Sequence, residues 1–370
     1  HIYLSMLFDE ILGQEHLKQL IQNSLEKNSF PQSKIIVDKD GYGGLLFALA
    51  ISERLLLEKG VKRSDILNHP DLHFVFPLFS SKDLASELNK EWISYINDNK
   101  FPNIVGWMSA SNSSGSQGAI RVKEVESMHK SAGLKSFYGK KKVFILWGGE
   151  LLMPQAANKL LKILEEPPTD CYFIIITRGL NEMLPTIKSR CQISSLSPAL
   201  PELIEEKIKA INPDLDAKKI ASASMGSWGR CLRYIQEEDS SFEHEADFVD
   251  CLRLAFKAKK SKEAVIDLMA WSNKMAALKK EEQKGFLSYC LYFIREALLL
   301  SYGAPKLSSF ISSSDIDINK LSPFIHSKNV ISIVNLIEDS LFSITRNVNA
   351  KIVFSTFCLS ITKLLYLKED

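Results

Sequence analysis

The stretch that decides the fold is IIVDKDGYGGLLFALAISERLLL, residues 35–57. It begins with a short β-branched run, continues through a glycine-rich turn and ends in an apolar segment with helical spacing. A strand, a glycine-rich turn and a helix in this order are typical of a phosphate-binding loop, in which backbone N–H groups surround phosphate oxygens where the helix begins. The stretch therefore predicts the scaffold of a nucleotide-binding fold.

The chemical positions of this loop do not fit a working site. In the pattern G-x-x-x-x-G-K-[ST], the lysine neutralises the outer phosphates and the hydroxyl holds magnesium. Here Asp38 stands at the first glycine, Gly43 at the second, Gly44 at the lysine and Leu45 at the hydroxyl. Aspartate repels a triphosphate and leucine cannot ligate magnesium, although Gly41 and Gly43 can still form the turn. We predict a degenerate loop that binds no ATP.

The metal side of the site is also altered. ATPases of this kind carry an apolar strand that ends in acidic residues, which hold magnesium and position water. The strand VFILWGGE at 143–150 places Trp147 and Gly148 there, with Glu150 two residues further on. Two independent losses in one scaffold predict a retained fold without hydrolysis.

Further apolar runs at 34–37, 141–147 and 171–177 indicate the fold class. Continuous runs of this kind favour strands buried on both faces of a parallel sheet flanked by helices. Between the last two runs, helical spacing begins at Pro154 and stops at the proline pair 167–168. We expect residues 80–118, which end in a small polar stretch, to form a peripheral insertion.

Three domains are predicted. Residues 1–198 form the α/β domain, 199–240 a small helical domain and 241–370 an all-helical domain, because only helical periodicity continues after the prolines near 198. The last domain contains apolar helices at 286–302, 329–344 and 350–367. They are short or interrupted by charges, so we expect no membrane span.

Composition narrows the functional classes. A formal net charge of +2 over 370 residues provides no global positive field for nucleic acid. Six cysteines without a C-x-x-C spacing indicate reduced thiols rather than a zinc site or a redox pair. The first residues lack the pattern of a secretion signal, and we expect a cytoplasmic protein.

Several motifs together carry a family resemblance. They are FDEILGQEHLKQLIQNSLEKNSFPQSKIIV at 8–37, NHPDLHFV at 68–75, AANKLLKILEEPP at 156–168, PTIKSRCQ at 185–192 and GSWGRCL at 226–232. The combination resembles bacterial clamp-loader subunits of the AAA+ class, whose three parts are an AAA+ domain, a lid and an oligomerising collar. The resemblance implies an arc of subunits that places a ring-shaped sliding clamp on primed DNA. Its expected partners are the ATP-hydrolysing gamma or tau subunits and delta, with this chain as a stator that binds no nucleotide.

The resemblance also assigns one site residue. Ser189, Arg190 and Cys191 match a Ser-Arg-Cys motif whose arginine is presented to the ATP of a neighbouring subunit. A guanidinium suits this role because it is planar, permanently charged and able to grip two phosphate oxygens. Arg190 is therefore predicted to be an arginine finger that acts in trans. The alternative is an ordinary surface arginine in a local ion pair, and Lys188 is read as a solvated charge.

Other positions of the family pattern lose their purpose without a nucleotide. Thr177 and Arg178 occupy the strand end where relatives sense the γ-phosphate, and Thr177 is read as a relic or as a local hydrogen-bonding group. Arg230 matches the arginine of the lid and is expected to form an ion pair between domains.

No metal is expected either. The four-cysteine module that many relatives carry is absent from the interval 55–67, and Pro70 disrupts a helical presentation of His69 and His73.

Two alternatives remain. An active clamp-loader ATPase would need a basic residue on the phosphates, and the only nearby candidate, Lys39, lies before the glycines. A direct DNA-binding module would use KSFYGKKK at 135–142, although a charged entry to a strand is the commoner meaning of such a run.

Overall fold

The computed structural model of the chain describes residues 6–39, 41–56, 66–79, 84–111, 118–138, 141–235, 241–259, 261–304, 310 and 317–367. The chain divides into two compact units. The first is formed by His1–Ala217 with Ser224–Arg233, and the second by Lys218–Ala223 with Tyr234–Asp370. The predicted small helical domain is thus shared between the units, while the predicted boundaries at 198 and 240 stay predictions.

The first unit is built on a parallel sheet. Its strands are β1 Ser33–Val37, β2 Leu72–Val75, β3 Lys142–Trp147, β4 Cys171–Thr177 and β5 Gln192–Ser195. They lie in the order β2-β3-β4-β1-β5, and every neighbouring pair is parallel. The three strands predicted from apolar runs are the three central ones, which confirms the predicted α/β class. The edge strand β2 is the second half of the motif NHPDLHFV, and the edge strand β5 begins at the last residue of PTIKSRCQ.

Both faces of this sheet are covered. Ile36, Ile145 and Ile174 belong to one buried cluster, while Ile35, Phe144 and Phe173 belong to another. Because successive side chains of a strand point to opposite faces, an uninterrupted apolar strand feeds both clusters. This arrangement explains why the central strands show no alternation with polar residues.

Helices surround the sheet in the first unit. They are α1 Met6–Glu10, α2 Glu15–Glu26, α3 Gly44–Leu56, α4 Asn89–Asp98, α5 Ile104–Ser111, α6 Val122–Gly133, α7 Pro154–Glu165, α8 Pro185–Lys188 and α9 Pro201–Ile211. The segment predicted to be helical between two prolines is α7, which begins at Pro154 and ends before Pro167 as expected. Helix α3 is almost wholly buried, so it is the central helix on its face of the sheet.

The insertion is not peripheral, which corrects the expectation from the sequence. Its described part, 84–111, contains α4 and α5, and their side chains Trp92 and Trp107 are buried in the same cluster as α3. Trp92 stacks on Phe76 with ring centroids 4.4 Å apart. The polar end of the insertion at 112–117 lies outside the described residues. Tryptophans at helical positions outweigh the polar end because each buries a large apolar area.

The second unit is helical throughout its described residues. It contains most of α10 Ala217–Ala223, whereas most of α11 Trp228–Ile235 belongs to the first unit. The further helices of the second unit are α12 Ser241–Ala258, α13 Lys262–Ala277, α14 Lys280–Ser301, α15 Val330–Thr345 and α16 Ala350–Leu365. The three predicted apolar helices correspond to α14, α15 and α16, and their buried faces share one core. Among the residues the structure describes, no helix has the length and apolarity needed to cross a membrane.

Candidate functional site

The glycine-rich loop lies at the carboxyl edge of the sheet, between β1 and α3. Two of its backbone amides are already occupied, because the Asp38 carboxylate accepts the N–H of Tyr42 at 2.9 Å and that of Gly44 at 2.7 Å. Gly41 and Gly43 have positive φ angles of 70° and 102°, which turn successive amides inward. In a working loop such amides hold phosphate oxygens. Here a carboxylate of the chain itself takes that role.

Gly44, at the position of the missing lysine, is in direct contact with this carboxylate. A Cβ at Gly44 would lie 2.7 Å from Asp38 Cβ, 2.9 Å from Asp38 Oδ2 and 3.1 Å from Ile176 Cγ2. Distances below 3 Å are repulsive for carbon, so no other side chain fits at position 44 while Asp38 adopts this conformation. The aspartate at 38 and the glycine at 44 therefore depend on one another.

The loop is also bound to the start of α11. The carbonyl of Gly41 accepts the N–H of Gly229 at 3.2 Å and the Ser227 hydroxyl at 3.3 Å. A Cβ at Gly229 would lie 3.0 Å from that same carbonyl oxygen. Arg230, the predicted lid arginine, donates its backbone N–H to Ser227 Oγ at 3.1 Å. Segment 224–230 thus closes over the loop within the first unit.

The indole of Trp147 occupies the end of β3, where the ATPase pattern places acids that bind magnesium. Trp147 is only 5% exposed and meets Trp92 of the insertion edge to face, with ring centroids 5.0 Å apart. Gly148 follows with φ 91°, and its N–H is bonded to Ile176 O at 3.0 Å. Where relatives place acids that hold magnesium, this chain therefore has aromatic packing.

The remaining acid, Glu150, is held by Arg178. Its Oε1 accepts Arg178 Nε at 3.0 Å and its Oε2 accepts the backbone N–H of Arg178 at 3.2 Å. The Glu150 side chain is buried. Next to it, the Thr177 hydroxyl donates to Gly179 O at 2.9 Å, which is the local hydrogen bond expected in one of the two interpretations of Thr177. Thr177 and Arg178, the two residues at the sensor position, therefore both make hydrogen bonds within the chain at the end of β4.

Arg190 lies in a different environment, just after the short helix α8. Its Nη1 donates to Thr186 O at 2.9 Å and to Ser189 Oγ at 3.3 Å, while its Nη2 lies 2.6 Å from Glu165 Oε1. The side chain is 34% exposed. The guanidinium is therefore exposed at the surface, and it forms the local ion pair that is the alternative interpretation of this arginine.

The topology separates this arginine from the loop. Residues 185–191 come directly before β5, while the loop comes directly after β1, and the two strands are parallel neighbours. Arg190 therefore lies at the amino edge of the sheet and the loop at the carboxyl edge. The structure does not bring the two predicted sites together.

Cys191, the cysteine of the Ser-Arg-Cys motif, has a partly buried thiol. Burial raises the pKa of the Cys191 thiol to about 12. A thiol that stays protonated is a poor nucleophile and a poor metal ligand. Cys191 is partly buried and packs against the same core cluster as Ile35 and Phe173.

The histidines considered for metal binding take part in local structure. His69 Nδ1 accepts the N–H of Asp71 at 3.1 Å, and the His73 ring stacks on Phe144 with centroids 4.7 Å apart. Burial lowers the pKa of both imidazoles. Within the described ranges no group of three metal-ligating side chains is found, and residues 57–65 of the interval without cysteines lie outside those ranges.

The KSFYGKKK run exposes two aromatic rings. Phe137 is 75% exposed and Tyr138 60% exposed. Their backbone N–H groups are bonded to the buried Asp71 carboxylate, at 2.7 Å to Oδ1 and 3.3 Å to Oδ2. The buried Lys142 donates to Ser131 O and Leu134 O. The turn is therefore held by two buried charged groups, the Asp71 carboxylate and the Lys142 ammonium. Gly139 and Lys140 lie outside the described residues.

Two features of the remnant are missing from the sequence interpretation. One is the bonding of the Asp38 carboxylate to the loop amides, for which an aspartate directly after a strand and before a helix is the available signal. The other is the contact of Gly41 with Gly229, which are far apart in the chain. The two Gly residues in GSWG at 226–229 are a weak hint at a close backbone approach.

A parallel sheet with this loop, a helical segment closed over it and an exposed Ser-Arg-Cys arginine at the opposite edge define an AAA+ clamp-loader type of subunit. Comparison with known proteins identifies the family. Residues 13–199, half of the chain, match the family described as DNA polymerase III, delta subunit, and the chain belongs to that family.

Individual relatives agree with this assignment. The chain is 28% identical over 205 residues to DNA polymerase III subunit delta prime of Bacillus subtilis, covering 53% of this chain and 51% of the relative. It is 29% identical over 198 residues to subunit delta prime of Escherichia coli, covering 52% and 54%. It is 27% identical over 232 residues to subunit gamma/tau of Mycoplasma genitalium, covering 61% and 34%. The match spans about half the length of the delta prime relatives, and the predicted resemblance to bacterial clamp-loader subunits is confirmed.

Proposed function

We propose that the chain is the stator of a bacterial clamp loader, a subunit of delta prime type that binds no ATP and presents Arg190 to the ATP of a neighbouring subunit. It acts in the cytoplasm with gamma or tau and delta, and helps to place a sliding clamp on primed DNA as part of the DNA polymerase III assembly. It has no enzymatic activity of its own, and it holds neither nucleotide nor zinc.

One observation carries the first half of this proposal. The Asp38 carboxylate accepts the N–H groups of Tyr42 and Gly44, which would otherwise be free for phosphate oxygens. A triphosphate would have to displace a charge-assisted pair of hydrogen bonds and approach a like charge, without a lysine to compensate. Trp147 removes the metal ligand as well.

The topology supports the second half. Because Arg190 lies at the sheet edge opposite to the loop, it is badly placed to serve its own loop and well placed to serve another chain. Its ion pair with Glu165 is exposed, and such pairs are worth only about 0.2–1 kcal/mol. The ion pair with Glu165 therefore opposes only weakly a turn of the guanidinium towards a phosphate on a neighbour.

The test of the nucleotide-free reading is direct titration of the purified full chain with ATP and magnesium, by calorimetry. We expect no heat of binding at millimolar ATP, whereas a gamma or tau subunit handled in the same way should bind. Micromolar, magnesium-dependent binding to this chain would overturn the proposal in favour of an active ATPase.

A contact with DNA is a second candidate function, favoured by one observation. Lys135 and Lys141 lie on either side of Phe137 and Tyr138 in the chain, and both aromatic rings are exposed on an anchored turn. Exposed aromatic rings between lysines are typical of surfaces on which single-stranded bases stack. Fluorescence anisotropy with a labelled oligonucleotide tests this: a Phe137→Ala, Tyr138→Ala double variant should weaken binding, and equal binding by both proteins would exclude the surface.

A further inference from the structure

The loop remnant has an anion bound to it permanently. In phosphate-binding loops the conformation of the loop depends on a ligand that comes and goes. In this chain the ligand position is filled by the carboxylate of Asp38, which is part of the chain. We propose that Asp38 is an internal substitute for phosphate that holds the loop and the segment 224–230 together, so that the closed arrangement needs no nucleotide. This inference rests on the proposed function, since it assumes that no nucleotide occupies the loop.

The chemistry of the substitution is sound. A carboxylate, like a phosphate, offers two acceptor oxygens with negative charge, and each oxygen here accepts one amide N–H at hydrogen-bond distance. The positive end of the α3 dipole favours an anion at this point. The glycines at 41 and 43 adopt φ values that side chains rarely accept, and they do so in a loop closed around the carboxylate.

The connection to the segment 224–230 runs through a single peptide group. The carbonyl of Gly41 lies between Asp38 and Tyr42 in the turn, and it accepts hydrogen bonds from Gly229 and Ser227. Phe101 packs against both sides, because its ring lies 3.2 Å from a Cβ built on Gly43 and its Cβ 3.5 Å from one built on Gly229. The orientation of the Gly41 carbonyl is therefore set by the same turn that the carboxylate closes.

The competing explanation is an ordinary helix cap. A cap would stabilise only the first turn of α3, whereas the proposal requires that loss of the carboxylate also loosens the segment 224–230. It further requires that a free oxyanion can take the place of the lost carboxylate. These two requirements separate the explanations experimentally.

Hydrogen–deuterium exchange on the full chain tests the proposal. In Asp38→Ala we expect faster exchange both in peptides covering 38–47 and in peptides covering 224–235, by about fivefold, which corresponds to the loss of about 1 kcal/mol that is typical of a lost cap. Millimolar inorganic phosphate, compared with chloride at equal ionic strength, should restore slow exchange in both peptides of the variant and should not change the wild-type protein.

The matched control is Asp317→Ala, because Asp317 also accepts a backbone N–H at the start of a helical turn, 3.1 Å from Asn319, but in the second unit. It should leave both peptides unchanged. If Asp38→Ala does not fold, Asp38→Asn keeps the size and one acceptor and should show a smaller change of the same kind.

The outcomes decide between the possibilities. Unchanged exchange at 224–235 in the Asp38 variants, or equal effects of phosphate and chloride, would overturn the inference. Because these readouts use no ATP, they fail independently of the proposed function, which is decided by the ATP titration of the wild-type chain.

Discussion

The two edges of the parallel sheet in the first unit have opposite characters. At the carboxyl edge, Asp38 closes the glycine-rich loop, Trp147 packs against the insertion and Glu150 is paired with Arg178. At the amino edge, Arg190 is exposed and held by a single ion pair with Glu165 and two hydrogen bonds close by in the chain. One edge is filled by the chain's own groups, and the other presents a charged group to the surroundings.

The difference shows how a nucleotide-binding scaffold can lose one function and keep another. Filling the carboxyl edge costs nothing at the amino edge, because the length of the strands separates the two. Under the proposed function, a subunit of this kind gives up its own ATP and still completes the site of a neighbour. Each of the following predictions tests one side of this comparison, in order of expected effect.

The largest effect is expected at the amino edge of the sheet, where Arg190 lies. Arg190→Ala in the complex reconstituted with the ATPase subunits should lower hydrolysis at the adjoining site by about a thousandfold or more, since arginine fingers contribute about 10³ to 10⁵ in rate. The measurement is the DNA-stimulated ATPase rate, with assembly checked by gel filtration. Arg253→Ala, which removes an exposed arginine paired with Asp250, is the control and should leave the rate unchanged. An unchanged rate for Arg190→Ala would remove the finger from the comparison.

At the carboxyl edge of the sheet, the expected effect is a loss of stability. Trp92→Ala should lower the free energy of unfolding by about 3–5 kcal/mol, the usual range for a buried tryptophan, because Trp92 packs on both Phe76 and Trp147. Urea denaturation followed by circular dichroism measures this. Phe137→Ala, an exposed aromatic in the same unit, should change stability by less than about 0.5 kcal/mol. Similar losses of unfolding free energy for both variants would show that the packing of the insertion against Trp147 does not stabilise this edge.

A pH-dependent effect is expected where the insertion meets α6. Glu124 accepts the N–H of Ala85 at 2.8 Å, and burial raises the pKa of its carboxyl to about 7. The folded chain therefore retains a proton that the unfolded chain releases near pH 4.5, so wild-type stability should fall as pH rises from about 4.5 to 7. Glu124→Gln should lack this loss and gain on the order of 1–3 kcal/mol over wild type above pH 7.

The control for this prediction lies on the same helix. Glu126 is exposed, and its hydrogen bond with Lys159 lowers the pKa of its carboxyl. Its contribution is present above its unfolded pKa and is lost as pH falls, so Glu126→Gln should change stability weakly and in the opposite sense. Parallel pH profiles of wild type and Glu124→Gln, from urea denaturation, would contradict the assignment to Glu124.

The smallest effect is expected from the partner of the finger. Glu165→Gln should change the free energy of unfolding by less than about 1 kcal/mol, because the ion pair with Arg190 is exposed. The ATPase rate of the reconstituted complex should be kept, since Arg190 is only released from a local contact. A fall in rate comparable to that of Arg190→Ala would mean that Glu165 orients the finger.

Much of the fold follows from local patterns. The central strands are continuous apolar runs, and α7 is bounded by Pro154 and the prolines at 167–168, so both are visible in the sequence. The insertion was misjudged because its polar end dominated the interpretation, whereas Trp92 and Trp107 decide where it packs. A tryptophan's partner across the fold is not encoded in periodicity.

The candidate site was predictable in part for a similar reason. The losses at Asp38, Gly44, Leu45 and Trp147 can be read position by position against a motif. That the Asp38 carboxylate fills the amides depends on the path of the loop, and the bond between Gly41 and Gly229 joins segments that no local rule connects. Whether Arg190 meets a phosphate depends on a neighbouring chain, and this stays a prediction.

The mutual dependence of positions 38 and 44 also limits how this lineage can change. A lysine introduced at 44 would collide with the Asp38 carboxylate, since even its Cβ would lie 2.7 Å from Asp38 Cβ. A glycine introduced first at 38 would leave the loop amides without their anion and still without a lysine. Either single substitution towards the ATP-binding pattern is therefore expected to destabilise the loop, so that positions 38 and 44 would have to change together.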